Sequence, residues 1–131
     1  MQGNYSVIIE DFAERHFIKN FKKKYNNFWD VTLRAIVAEF ERIDMLLQTE
    51  KAETISFVGS VKIIKTEFKI AGTKESAKTS GNRCIIAVDE KLKKVSVLLV
   101  YTKTDVKGAI ETVWWKKLVS DTYIDYAWVL N

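Results

Sequence analysis

Residues 65–89 read KTEFKIAGTKESAKTSGNRCIIAVD, two strand-like runs joined by a loop rich in Lys, Ser, Thr and Gly. The first run extends over 61–70 and the second over 83–88, and both are rich in β-branched and other apolar residues. A third run, 95–102, follows a charged turn at 89–94. Three runs separated in this way predict an antiparallel meander, which is the centre of the fold.

Two helices are predicted on the N-terminal side of the meander. A short strand at 5–9 is followed by Asp11 in the position of an N-cap, with Glu14 three residues later as in a capping box. Apolar residues then recur at helical spacing as far as Asn26, and again over 28–48. Two amphipathic helices joined by so short a break should pair antiparallel and cover one face of the sheet.

The C-terminal part is predicted to contain one further helix. Helical spacing returns over 108–119, with Trp114 on the apolar side and Trp115 outside it, available to a partner. Residues 49–60 are interpreted as a polar connection. The tail after about residue 120 is ambiguous, because it fits an edge strand, a docked segment or a partner-binding arm.

Composition limits the class of protein. The chain has 131 residues, 47% of them apolar, which suits a single domain over 1–131 with an extra C-terminal tail. It has no apolar run of roughly 18 to 20 residues and no secretory signal pattern, so a cytoplasmic protein without membrane contact is expected. Cys84 is the single cysteine, which excludes an internal disulfide and a cysteine-based zinc site.

The positive charge is concentrated in the meander. The chain carries a formal net charge of +4, and residues 60–83 hold six basic residues against two acidic ones, a difference that is also +4. The six are Lys62, Lys65, Lys69, Lys74, Lys78 and Arg83. A basic patch of this kind favours nucleic acid as a partner. Lys62, Lys74 and Lys78 are candidates for RNA contacts, although Lys74 and Lys78 fit a solvated hairpin tip equally well.

In the first strand of the meander, 61–70, alternation places four residues on one side. They are Ile63, Lys65, Glu67 and Lys69. Arg83 opens the next strand, and its guanidinium can bind a phosphate with two parallel hydrogen bonds. Tyr101 and Lys103 share a face of the last strand. Such residues suit metal-independent RNA cleavage, which needs a base, cations for the phosphorane charge and an acid.

The roles within this set remain open at the level of sequence. The base is either Glu67 or one of the lysines Lys65 and Lys69, whose pKa neighbouring cations would lower. A structural alternative is a simple cross-strand ion pair between Glu67 and Arg83. Cys84 alternates with Arg83, so it is expected to point into the core.

The chain resembles the RelE/ParE superfamily of bacterial toxins. The resemblance lies in the element order β-α-α-β-β-β-α, in KTSGNRCII over 78–86, and in Tyr101-x-Lys103 before a final helix. It implies an α+β RelE-like fold and a ribosome-dependent endoribonuclease that cleaves mRNA without metal or cofactor. It further implies that Arg83 stabilises the scissile phosphate and that a cognate protein antitoxin silences the toxin. Alternatives within the same fold are a DNA gyrase poison and an inactive RNA-binding domain.

Overall fold

The computed structural model describes residues 4–130, which build a five-stranded sheet with helices on both faces. The strands are β1 Ser6–Ile9, β2 Ala52–Val58, β3 Val61–Phe68, β4 Asn82–Asp89 and β5 Lys94–Thr102. Their order across the sheet is β1-β5-β4-β3-β2. The strands β2 to β5 form an antiparallel meander, and β1 joins its β5 edge in parallel.

The N-terminal helices cover one face of the sheet. They comprise α1 Asp11–Ala13, a π-helical segment Glu14–Ile18, α2 Lys19–Tyr25, α3 Asn27–Glu41 and α4 Ile43–Leu46. The chain reverses at Asn26, whose φ of 49° lies in the left-handed range that asparagine tolerates better than most residues. Buried aromatic and aliphatic side chains from α2, α3 and α4 pack on the apolar side chains of β3, β4 and β5. We call this the hairpin face.

The C-terminal helices cover the opposite face, which we call the α5 face. A 3₁₀ turn, Lys103–Val106, leads to α5 Glu111–Thr122 and α6 Ile124–Leu130. Its fully buried side chains include Trp115 and Val119 from α5, packed with Ile63, Ile85 and Leu99 of the sheet. None of the helices within residues 4–130 combines the length and apolar character needed to cross a membrane.

The expected α+β class, with an N-terminal strand and a helical hairpin on an antiparallel sheet, is confirmed. The element order was incomplete, because residues 49–60 contain β2 and the tail contains α6, a helix docked on the α5 face through buried Val129. β2 and β3 are joined by the two-residue turn Gly59–Ser60. Gly59 has φ of 60°, as two-residue hairpin turns require, so this dipeptide was the available signal for β2.

Two predicted helix boundaries also differ from the structure. Asp11 is the first residue of α1 rather than its N-cap, and the N-cap Glu10 makes no side-chain capping bond. The helix predicted over 28–48 breaks at Arg42, where φ is −116° and ψ is 47°. The apolar stripe nevertheless continues into α4, since Ile43 and Leu46 are both buried in the hairpin-face core.

Candidate functional site

Three of the predicted site residues lie side by side across three strands. In the register of the sheet Glu67 of β3 is opposite Arg83 of β4, which is opposite Tyr101 of β5. Lys65 lies two residues before Glu67, so strand alternation places it on the same face. Glu111, the first residue of α5, reaches over this row from above. We call these five residues the sheet-end cluster.

The distances show that the cluster converges on one atom. Oε2 of Glu111 accepts a hydrogen bond of 2.7 Å from the hydroxyl of Tyr101, and lies 3.6 Å from Nζ of Lys65 and 4.0 Å from Nε of Arg83. On its other side Arg83 places Nη2 3.3 Å from Oε2 of Glu67. A single carboxylate oxygen is therefore surrounded by a hydroxyl, an ammonium and a guanidinium.

The loop that precedes β4 fixes the position of Arg83. Gly81 has φ of 81°, a conformation that favours glycine, and it turns the chain into the strand. Arg83 donates from Nη1 to the carbonyl of Asn82 at 2.9 Å and from Nη2 to the carbonyl of Lys78 at 3.3 Å. Ser80 anchors the loop by donating from Oγ to the carbonyl of Phe68 at 2.6 Å. The Lys/Ser/Gly motif thus orients the guanidinium.

The charges of the cluster shift two pKa values. Burial alone would raise the pKa of Glu111, but the hydrogen bond from Tyr101 and three nearby cations outweigh it and lower the pKa from its ordinary 4.5. The cations are Lys65, Arg83 and Lys103. The pKa of Tyr101 is strongly raised, first by burial and then by the hydrogen bond to Glu111. At neutral pH Glu111 is therefore ionised and Tyr101 keeps its proton.

The remaining predicted site residues are spread more widely. Lys103 is exposed beside Gly81 at the end of β5, close enough for its charge to act on Glu111. Lys69 follows the end of β3 and is exposed in a groove beside α3, so the prediction that it shares a side with Lys65 and Glu67 is wrong. The alternation ends with the strand, which explains the error.

The three predicted RNA contacts do not form one surface with the cluster. Lys62 pairs with Glu90 at 3.3 Å and lies opposite Val88, five residues along the sheet from Arg83, or about 17 Å at the usual strand rise. Lys74 and Lys78 are exposed in the loop before β4 and form no ion pair with residues 4–130. The loop lysines are free to contact a partner, whereas Lys62 belongs to the opposite end of the strand.

Sequence reasoning misjudged exposure in two places. An arginine that opens a strand and binds a phosphate should face solvent, but Arg83 is only 5% exposed and lies under Glu111 of α5. Trp114 was placed in the core and Trp115 outside, whereas Trp115 is fully buried and Trp114 is half-buried against the ring of Tyr101, 5.0 Å between centroids. The buried side of α5 is thus rotated by about one residue from the predicted apolar side. The expectation for Cys84 is confirmed, since it is fully buried, which raises the pKa of its thiol to about 12.

Glu111 is the member of the cluster that sequence reasoning missed. It follows β5 by nine residues and belongs to a different element, so strand alternation gives no information about it. The available signal was its place at the start of a helix that follows the Tyr101-x-Lys103 strand end. An acidic first residue of a helix returning over the sheet can reach the cations of that sheet.

Neither the protein-family models nor the curated protein sequences contain a match to this chain. Among solved structures, the archaeal RelE–RelB complex from Pyrococcus horikoshii OT3 aligns with 82% of this chain and 99% of that chain. The aligned residues are 13% identical and the TM-score is 0.44. A similarity this low assigns no family, so the interpretation of the site rests on the chain's own residues.

Proposed function

We propose that this chain is a ribosome-dependent endoribonuclease toxin that cleaves mRNA at the sheet-end cluster. The observation that carries the proposal is the convergence of Lys65, Arg83 and Tyr101 on one oxygen of Glu111. An ammonium, a guanidinium and a hydroxyl aimed at one negative oxygen form an anion site of the kind that stabilises a phosphorane. The resemblance of the KTSGNRCII motif to the RelE/ParE toxins points in the same direction.

In the proposed reaction the scissile phosphate takes the place of the Glu111 carboxylate. Glu111 and a phosphate oxygen compete for the same three groups, so α5 must shift at its first turn for substrate to enter. We place this shift at Gly108 in the linker before α5, because glycine can adopt backbone angles on both sides of the φ range. Glu67 stays beside Arg83 and keeps the guanidinium oriented.

Once the Glu111 carboxylate has left the cluster, the remaining residues carry out the proton transfers. The ribose 2′-oxygen bonds to phosphorus as the bond from phosphorus to the 5′-oxygen breaks, which leaves a cyclic phosphate and a 5′-hydroxyl. Glu67 accepts the 2′-hydroxyl proton, and the ammonium of Lys65 supplies the proton that the departing 5′-oxygen needs. Tyr101 holds its proton because its pKa is raised, so it serves as a hydrogen-bond donor to the phosphorane.

A cognate protein antitoxin completes the proposal, because a nuclease of this kind must be silenced in the cell that makes it. The exposed loop lysines Lys74 and Lys78 suit an acidic partner segment. The exposed apolar side chains Ile110 and Val113 beside the first turn of α5 suit the apolar side of such a segment. A segment bound there would hold Glu111 in the cluster.

The experiment is cleavage of message on programmed ribosomes by purified protein. The wild type should produce codon-dependent cuts, and its induced expression should arrest growth. Arg83→Ala should lose about 3 kcal/mol of transition-state stabilisation, roughly a hundredfold in rate. Arg83→Lys should lose most of that, because one ammonium cannot contact Asn82, Lys78 and Glu67 and also reach the phosphate. Glu111→Ala should cleave faster than the wild type, since it removes the competitor for the phosphate.

Lys62→Ala is the matched control, because it removes a cation from the same sheet outside the cluster. It should cleave at the wild-type rate. Intact messages on ribosomes together with accumulated gyrase-cleaved DNA would replace this proposal by the gyrase alternative. Salt-sensitive RNA binding without any cleavage would replace it by the inactive RNA-binding domain.

A further inference from the structure

A second site lies on the opposite side of the sheet end. A cavity of about 360 Å³ opens between α2, the loop before β4 and the end of β5. This volume lies within the roughly 300–1,000 Å³ of most small-molecule sites. Its walls combine the aromatic rings of Phe17, Phe21 and Tyr25 with the polar side chains of Asn20, Lys24 and Asn82. We call it the α2 cavity.

Asn82 is the unusual group in this cavity. It is only 6% exposed, yet its side-chain amide has no hydrogen-bond partner among residues 4–130. A buried amide normally has its donors and acceptor satisfied. Two of the nearby polar groups are already engaged, since Ser80 donates to backbone carbonyls and Thr102 forms a capping box with Asp105. The Asn82 amide is therefore available to a ligand that presents both an acceptor and a donor.

The aromatic walls indicate the shape of that ligand. Tyr25 is the partly exposed ring of this wall, because the ring of Phe21 is buried and stacks on Trp29 with 4.9 Å between centroids. Flat ligands stack on such rings, and nucleobases combine a flat face with an edge of alternating donors and acceptors. An asparagine amide can pair with such an edge through two hydrogen bonds. The cavity thus offers stacking and edge recognition together.

Charges of both signs surround the opening of the cavity. Lys24 lines it together with the acidic residues Glu75 and Asp105, and Lys22 and Lys23 are exposed on the same helix. The ammonium of Lys24 lies over the ring of Tyr25, 5.2 Å from its centroid. The mixed charge of the lining suits an uncharged ring rather than a phosphate inside the cavity, while the exposed lysines can contact a strand outside it.

We infer that the α2 cavity binds a nucleobase, from an RNA strand or from a free nucleotide. Asn82 and Arg83 are consecutive on β4 and point to opposite faces, so the cavity and the sheet-end cluster meet around the same strand end. Lys103 lies between them, exposed beside Gly81. This inference deepens the proposed function: a strand entering the cluster places a neighbouring base in the cavity, which gives the cleavage its sequence preference.

The test measures binding rather than cleavage, so the two proposals can fail separately. Fluorescently labelled tetraribonucleotides are titrated into the full chain, once with one base in an otherwise abasic backbone and once fully abasic. The base-containing strand should bind about tenfold more tightly or better, and Asn82→Leu should remove that difference without changing abasic binding. Asn27→Leu, an exposed asparagine outside the cavity, is the matched control and should behave as the wild type.

Two further measurements are needed. The first tests the site without relying on the folding of Asn82→Leu, and the second identifies the source of the base. In the wild-type protein the side-chain amide resonances of Asn82 should shift on titration with the base-containing strand, and Asn20→Ala should weaken binding from the exposed rim. Nucleoside monophosphates that bind as tightly as the strand identify a free nucleotide as the source, and weaker binding identifies RNA. Equal binding of the abasic and base-containing strands, or unshifted Asn82 resonances, overturns the inference even if Arg83 variants abolish cleavage.

Discussion

The two faces of the sheet are built on the same strands but from different chemistry. On the hairpin face β3, β4 and β5 meet α2, α3 and α4 through an almost wholly apolar core. On the α5 face the apolar core gives way at the sheet end to five polar or charged residues, of which Tyr101 and Arg83 are buried and the other three are partly buried. The hairpin face stabilises the fold by burying apolar surface. The sheet-end cluster buries charged groups, which costs desolvation energy, so stability gives no reason for its presence.

The difference separates a structural face from a candidate chemical one. Lys62–Glu90 shows that the sheet also carries an ordinary surface ion pair, with side chains 27% and 40% exposed. The guanidinium of Arg83 is 6% exposed and has two acidic partners. The charged pair at one end of the sheet is therefore partly exposed, whereas the arginine at the other end is buried between two acidic partners. The predictions below measure how far these regions differ.

The largest effect is expected from the hairpin face. Phe40→Ala removes a fully buried ring, at 1% exposure, and should lower the free energy of unfolding by about 3–5 kcal/mol. Urea unfolding followed by tryptophan fluorescence measures the loss. Phe57→Ala on β2 is the matched control, since that ring is 67% exposed and its loss should cost about 0.5 kcal/mol or less. Similar losses in both variants would remove the contrast between core and surface.

Arg83→Ala should have the next largest effect on stability. It leaves Glu67 and Glu111 without the guanidinium between them, and breaking a buried pair costs about 3–5 kcal/mol. Because both carboxylates are partly hydrated, at 17% and 22% exposure, we expect about 2–3 kcal/mol. Urea unfolding again measures it, with Arg34→Ala on the exposed side of α3 as the control. A loss no greater than in Arg34→Ala would show that the cluster is hydrated like a surface pair.

The pH dependence of stability should report Glu111. Its pKa is lower in the folded chain than the ordinary 4.5, so its contribution is complete above that value and is lost as pH falls through the folded pKa. The stability of the wild type should exceed that of Glu111→Gln by about 1–2 kcal/mol at pH 7, and the difference should shrink as the pH falls below 4.5 and through the folded pKa. Glu14→Gln, at an exposed position, should show no such gap. A gap that persists in acid would place the stabilisation elsewhere.

The smallest effect is expected from Lys62→Ala. The pair with Glu90 is partly exposed, so its loss should cost about 0.5 kcal/mol or less, and high salt should reduce that further. Unfolding at low and high ionic strength checks both points, with Lys91→Ala as the exposed neighbour for comparison. A cost as large as that of Arg83→Ala would mean that the two ends of the sheet are electrostatically alike.

Much of the fold could be predicted from the sequence, because the spacing of apolar residues and the residues that form turns are local features of the chain. The three meander strands, β1 and the stripe of α3 follow from alternation or helical spacing, and the structure contains them with ends shifted by a few residues. β2 was missed because AETISFV carries a bulge between Thr54 and Ser56, which breaks the alternation on which strand prediction depends.

The candidate site was accessible only in part, for a different physical reason. Lys65, Glu67, Arg83 and Tyr101 lie on strands whose register follows from the turns, so their meeting could be predicted. Their burial could not, because it depends on where α5 docks after the 3₁₀ turn and its left-handed linker. Glu111 and the exposure of Arg83 are two results of that one docking event.

The parallel pairing of β1 with β5 also bears on how the chain folds. Val7 lies opposite Val95 in this pairing, so the partner of the first strand comes 88 residues later in the sequence. Loop closure over such a separation is slow compared with forming a local hairpin. During synthesis β1 remains without its neighbour until β5 has left the ribosome, and Glu111 emerges later still. The sheet-end cluster therefore cannot be complete before the chain has been made as far as Glu111.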